Sequence, residues 1–171
     1  MIATVAKKKL TEKAKLRIAI AKDVLKIIPS VNVETGMYLY VSFENDGCKD
    51  ARSFLKRKEN LKGCAACALG CYMIAWVRRF NKEKVMNMDG MSRKSIVDRL
   101  KSVFSNHQMD LIEAAFERTC ENDFIALDRD DVAEAALSFG HRFPDDRDRL
   151  RAIMENIVEN GGDFIPLPEY K

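Results

Sequence analysis

Gly63-Cys-Ala-Ala-Cys-Ala-Leu-Gly-Cys-Tyr-Met-Ile-Ala-Trp-Val77 decides the fold. From Cys64 to Val77 it carries no charge, with Lys62 before it and Arg78-Arg79 after it. A helix that is apolar on every side is a buried helix. The stretch is too short to cross a bilayer, which takes about 20 apolar residues. Its small residues (Cys64, Ala65, Ala66, Cys67, Ala68, Gly70, Cys71 and Ala75) let neighbouring backbones approach closely. Arg78 and Arg79 suit the negative end of a helix dipole. The stretch predicts a central helix with other helices packed around it. The fold expected is mainly α, a single-domain helical bundle over residues 1–171.

Outward from this centre the pattern stays helical. Leu10, Ala14, Ile18, Ala21, Leu25 and Ile28 recur at helical spacing behind Thr11, a capping residue, and Pro29 stops the run. Val31 to Phe43 is the β-like exception, rich in aromatic and β-branched residues, and predicts a short β-hairpin near 31–43. Asp50 to Glu59 predicts a short basic helix. Ser92 caps the next helix, and Ser105-Asn-His-Gln108 has the form of a capping box. A shorter helix carries Val132 to Phe139 and ends at Gly140. The last carries Leu150, Ile153, Met154, Ile157 and Val158 and ends at Gly161-Gly162. Residues 1–9 read as a loose basic start and 163–171 as an extended tail pinned by Phe164 and Ile165.

Hydrophobic residues make up 47% of the chain, enough for a core, and charged residues 32%, enough for a hydrated surface. The apolar run Ile2–Ala6 is too short for a secretory signal, and Lys7–Lys9 follow it instead of preceding it. Five cysteines, an odd number, without such a signal fit reduced thiols in a cytoplasm. The charge is uneven. Residues 1–100 hold 21 Lys and Arg against 10 Asp and Glu, whereas residues 101–171 hold 8 against 16. Either the basic half faces a polyanion, or the two halves attract and pack together.

Three groups of residues are candidates for chemistry. Cys64, Cys67 and Cys71 fall on one face of the expected helix, with Cys48 upstream as a fourth thiol. Four thiolates can hold zinc, but zinc motifs place their Cys pairs on turns, so plain packing of small apolar side chains is the preferred reading, with no metal or cofactor. Arg78, Arg79, Lys82 and Lys84 follow the apolar helix and predict a positive patch for a partner. The acidic runs Asp128–Asp131 and Asp145–Asp148 are positioned to cap helices or to neutralise that patch. Neither fits a calcium loop, and no phosphate-cradling glycine loop or Gly-x-Ser-x-Gly nucleophile motif occurs.

Cys67-Ala-Leu-Gly70, within its alanine-rich surroundings, resembles a Cys-x-x-Gly-rich helix of small uncharacterised phage and bacterial proteins. Arg149-Leu-Arg-Ala-Ile-Met-Glu-Asn-Ile-Val-Glu-Asn-Gly-Gly-Asp-Phe-Ile-Pro166 resembles the closing segment of phage proteins of that kind. The resemblance spans about a quarter of the chain. It implies a phage-type origin and a host or defence component as partner, and it assigns no residue a role. The expectation is a binding protein without catalysis that engages another protein. The alternatives are a nucleic-acid binder using the basic half, and a protein that sequesters a small ligand or nucleotide in a groove ringed by Arg and Lys. Aromatic residues able to stack on bases, Phe80 apart, are not interleaved with the Lys and Arg, which favours the protein partner over single-stranded nucleic acid.

Overall fold

The computed structural model describes residues 9–41, 50–80, 90–120 and 131–167. The fold is mainly α, as expected. Its helices are α1 (Glu12–Ile27), α2 (Ala51–Lys56), α3 (Lys58–Leu61), α4 (Ala68–Phe80), α5 (Arg93–Leu100), α6 (Asn106–Glu117), α7 (Asp131–His141) and α8 (Asp146–Glu159). Three short strands join them: β1 (Asn32–Val33), β2 (Leu39–Val41) and β3 (Cys64–Ala66). The four N-caps reached by the expected polar residues form as hydrogen bonds. Thr11 accepts from Ala14 N–H, Ser92 from Ser95, Ser105 from Gln108, and Asp145 from Arg147 and Asp148. Gln108 does not complete a capping box. Its side-chain amide instead clasps the Phe164 backbone, accepting from the N–H at 2.7 Å and donating to the carbonyl at 3.3 Å. Asn156 does the same for Ile165, so the tail is held by backbone-mimicking pairs as well as by buried Phe164.

The opening stretch divides in two. Cys64–Ala66 is strand, and the helix begins only at Ala68. β3 lies in the middle of the sheet, parallel to β1 (Asn32 opposite Ala65) and antiparallel to β2 (Tyr40 opposite Ala65). The strands expected near 31–43 are present, but each bonds to β3 and not to the other. Buried backbone must find hydrogen bonds. β1 and β2 offer two open edges, and Cys64–Ala66 satisfies both at once. That tertiary demand outweighs the modest helix preference of the two alanines.

α4 is the centre of the core. Every residue from Ala68 to Val77 is buried, Leu69, Ile74 and Trp76 among them. It packs on α1, α2, α5 and α6, while α8 covers α1 and α6 from the far side and α7 lies along α6. Gly70 allows a close approach, but to a loop and not to a helix. A Cβ there would stand 1.8 Å from the Tyr38 carbonyl oxygen. Gly140 of α7 plays the helix–helix role, its missing Cβ leaving room for the Ala115 carbonyl of α6. Among the described residues no helix is long and apolar enough to cross a membrane.

Candidate functional site

The carboxyl ends of α1, α2 and α4 converge on one side of the molecule. Each carries basic residues in its last turn: Lys26, Lys56, and the pair Arg78 and Arg79. Between them opens a cleft of about 570 Å³. Its charged lining is Lys26, Arg52, Lys56, Lys58, Arg78 and Arg79, with Asp23 the one carboxylate among the described lining residues. Ile27 and Leu61, both buried, contribute apolar surface to the same lining.

Some of this charge serves the fold. Helix carboxyl ends carry about half a negative charge each, so cations there are stabilising. Arg52 Nε donates to the Arg78 carbonyl at 2.8 Å, tying α2 to the last turn of α4. Arg79 pairs with Asp23 and reaches the Ala19 carbonyl at 3.5 Å, which ties α4 to α1. Lys26 takes the other oxygen of Asp23 at 3.2 Å. Six cations against one carboxylate nevertheless leave a formal +5 in the lining. Three helix ends offset about 1.5 of that. More than half of the formal positive charge of the described lining is not offset by Asp23 or by the helix ends.

Arg78 and Arg79, two of the four basic residues singled out in the sequence, line the cleft. Lys82 and Lys84 lie outside the described residues, as do Asp128 and Asp130. Among the described lining residues the carboxylate that meets these cations is Asp23, on α1. Lys26, Arg52, Lys56 and Lys58 escaped the sequence reading. Basic residues in the last turns of α1 and α2 were legible as helix ends, but nothing local says that three such ends meet.

A second charged site lies at the opposite end of α4, and it is buried. Arg93, the first residue of α5, donates through Nε to Glu113 Oε2 at 2.7 Å and also pairs with Asp110. Glu113 is 1% exposed. The Tyr38 hydroxyl interacts with the same carboxylate, and Glu113 Oε1 is buried without a hydrogen-bond partner within ordinary distance. Burial pushes the Glu113 carboxyl up to about 7, although Arg93 and Tyr38 pull the other way. One turn on, burial also raises Glu117, whose Oε2 accepts the Gly36 N–H at 2.8 Å. Asp146 of α8 accepts the neighbouring Thr35 N–H at 3.1 Å. The β1–β2 connection is thus held by carboxylates from α6 and α8.

The thiols do not share one helix face. Cys64 lies on β3, Cys67 in the connection and Cys71 in α4, because residues 64–66 are extended. Each Sγ faces a backbone carbonyl: Asn60 at 3.4 Å, Tyr38 at 3.7 Å and Ala66 at 4.0 Å. Cys48 lies outside the described residues. Among those described, no three His, Cys, Asp or Glu side chains are grouped to hold a metal ion. Cys67 occupies the amino end of α4, where the Gly70 and Leu69 amides favour a thiolate. Burial wins and pushes the thiol up to about 12, with Cys64 raised to about 11 and Cys71 raised well above its ordinary value. These are protonated, poorly nucleophilic side chains that pack as small apolar groups.

No protein-family model, curated protein or solved structure matches this chain.

Proposed function

We propose that this protein is a binding protein whose cleft between the ends of α1, α2 and α4 takes a multiply charged anion. One observation carries the reading: six cations from four separate elements line a single concavity against one carboxylate. Like charges gathered around a single carboxylate repel one another, so an anion that enters relieves that repulsion as well as forming new contacts. The protein partner favoured from the sequence, a host or defence component on the phage-type resemblance, would use this site by presenting clustered carboxylates or phosphates.

Titration calorimetry with tripolyphosphate, a poly-glutamate peptide and duplex DNA, at low and at physiological salt, tests the proposal. Binding of at least one probe should weaken as salt rises, because each phosphate neutralised releases counterions. The double substitution Lys56→Glu and Lys58→Glu should weaken it by at least about tenfold, the equivalent of one lost charged contact of about 1.4 kcal/mol. Both side chains are exposed, so the fold should survive the change. Absence of binding to all three probes, or binding indifferent to the double substitution, would overturn the reading.

A further inference from the structure

Resting on that reading, we infer that the ligand of the cleft is a compact polyphosphate group, recognised by its charge alone and not through an attached base or a continuing strand. Three features of the lining lead there.

The first is size. A cavity of about 570 Å³ falls within the range of about 300–1,000 Å³ typical of single small ligands. Proteins that hold single strands track about 4–16 nucleotides along a groove. The second is the arrangement of charge. Lys26 comes from α1, Arg52 and Lys56 from α2, Lys58 from α3, and Arg78 and Arg79 from α4. The cations are spread over four elements around one concavity and do not line up along one helix. A group whose negative oxygens lie close together can meet several of them at once. A strand carries its phosphates along a line and offers the cleft fewer at a time.

The third is chemistry. The described lining has no aromatic ring, so no base can stack there. It also has no Asn or Gln to pair with a base edge. Its carboxylate, Asp23, is occupied by Arg79 and Lys26. Ser30 is its remaining neutral polar side chain. Arginine forks and lysine ammonium groups both serve phosphate oxygens. Asp23 acts as a positioning residue: its two oxygens hold one guanidinium and one ammonium group of the lining on a single carboxylate.

The experiment is a comparison of affinities on the intact chain at one fixed low salt. The probes are inorganic phosphate, pyrophosphate, tripolyphosphate, ATP, GTP and a single-stranded DNA 12-mer. Affinity should rise by about tenfold for each phosphate added from one to three, as each adds a charge-assisted contact. ATP, GTP and tripolyphosphate should agree within a few-fold. Substituting Lys56→Gln and Lys58→Gln together should weaken all three equally. A tenfold preference between ATP and GTP, or of either over tripolyphosphate, would show base recognition and overturn the inference. So would tight binding of the 12-mer with none of tripolyphosphate, while leaving the cleft's general role as an anion site intact. Failure of every anion to bind would sink that general role as well.

Discussion

At its amino end α4 meets carboxylates, and at its carboxyl end it meets cations, yet the two ends are built on opposite plans. At the amino end the charges are buried, few and paired across the chain. Arg93, from the basic half, sits between Asp110 and Glu113, from the acidic half. At the carboxyl end the charges are mostly exposed, many and, Asp23 apart, of one sign, and all of the described lining comes from the first half of the chain. The uneven charge of the sequence thus has two outcomes. Part of it joins the halves, through Arg93 and through Arg17 with Asp163 at 2.8 Å. Another part, six cations, collects in the cleft. Paired burial fixes structure, whereas unpaired exposed charge contributes little to stability and is available for binding.

The largest effect expected from breaking this contrast is at Arg93. Arg93→Met leaves Asp110 and Glu113 buried and facing each other without a cation. Removal of one partner of a buried pair costs about 3–5 kcal/mol. The loss should be greatest above neutral pH and smaller in mild acid, where Glu113 can take a proton. Urea unfolding of the variant and the parent at two pH values measures it. A loss below about 1 kcal/mol at alkaline pH would show that the cluster is not the paired, buried arrangement described.

The next effect is the pH dependence of the parent chain. Glu113 binds its proton more tightly when folded, at about 7, than at its ordinary value of 4.5. Its contribution to stability is therefore complete below about 4.5 and is lost as pH rises towards 7. The size is on the order of 3 kcal/mol, at about 1.4 kcal/mol for each tenfold change in proton affinity. Exposed carboxylates titrate over part of the same range, so the measurement is the difference between parent and Glu113→Gln. The parent should lose stability relative to the variant from pH 4.5 to 7, and parallel curves would refute the assignment.

Gly70→Ala comes third. The new Cβ would fall on the Tyr38 carbonyl oxygen, a backbone atom that cannot swing aside. Overpacking of this kind costs about 1–3 kcal/mol, occasionally more. Because Tyr38 also touches Glu113, the substitution should move the apparent Glu113 titration as well, read from carboxyl chemical shifts across the same pH range. An unchanged midpoint would separate the loop from the cluster.

These positions also show how far the sequence is legible. The uncharged run from Cys64 to Val77 announced a buried centre, and Ala68 to Val77 is that centre. The caps at Thr11, Ser92, Ser105 and Asp145 were readable because capping is local chemistry between residues two or three apart. The strand character of Cys64–Ala66 was not readable, since it comes from edges supplied by residues about 30 positions upstream. The thiol alignment failed with it: a helical spacing means nothing across a strand-to-helix junction. Arg78 and Arg79 were visible as a pair after an apolar run. Their neighbours Arg52, Lys56 and Lys58 reach the cleft only because α2 and α3 pack beside the end of α4, and that is a fact of topology.

The smallest effect on stability, and the sharpest test of the contrast, lies in the cleft itself. Lys56→Gln with Lys58→Gln removes two exposed cations from a crowd of like charges. Stability should change by no more than about 0.5 kcal/mol, and in the stabilising direction if repulsion dominates. Arg52→Gln is the control, because its Nε bond to the Arg78 carbonyl ties α2 to α4. It should cost about 0.5–1.5 kcal/mol, the value of one such hydrogen bond. If the lysines serve mainly the helix ends, their loss should cost as much as that of Arg52, since a cation in a last turn is worth about 0.3–1 kcal/mol. If they are held for an anion, the double substitution leaves the midpoint of urea unfolding in place and removes the stabilisation that added tripolyphosphate gives the parent. That stabilisation follows from mass action, growing with ligand concentration above the dissociation constant. Equal protection of parent and double variant by tripolyphosphate would place the bound anion elsewhere on the molecule.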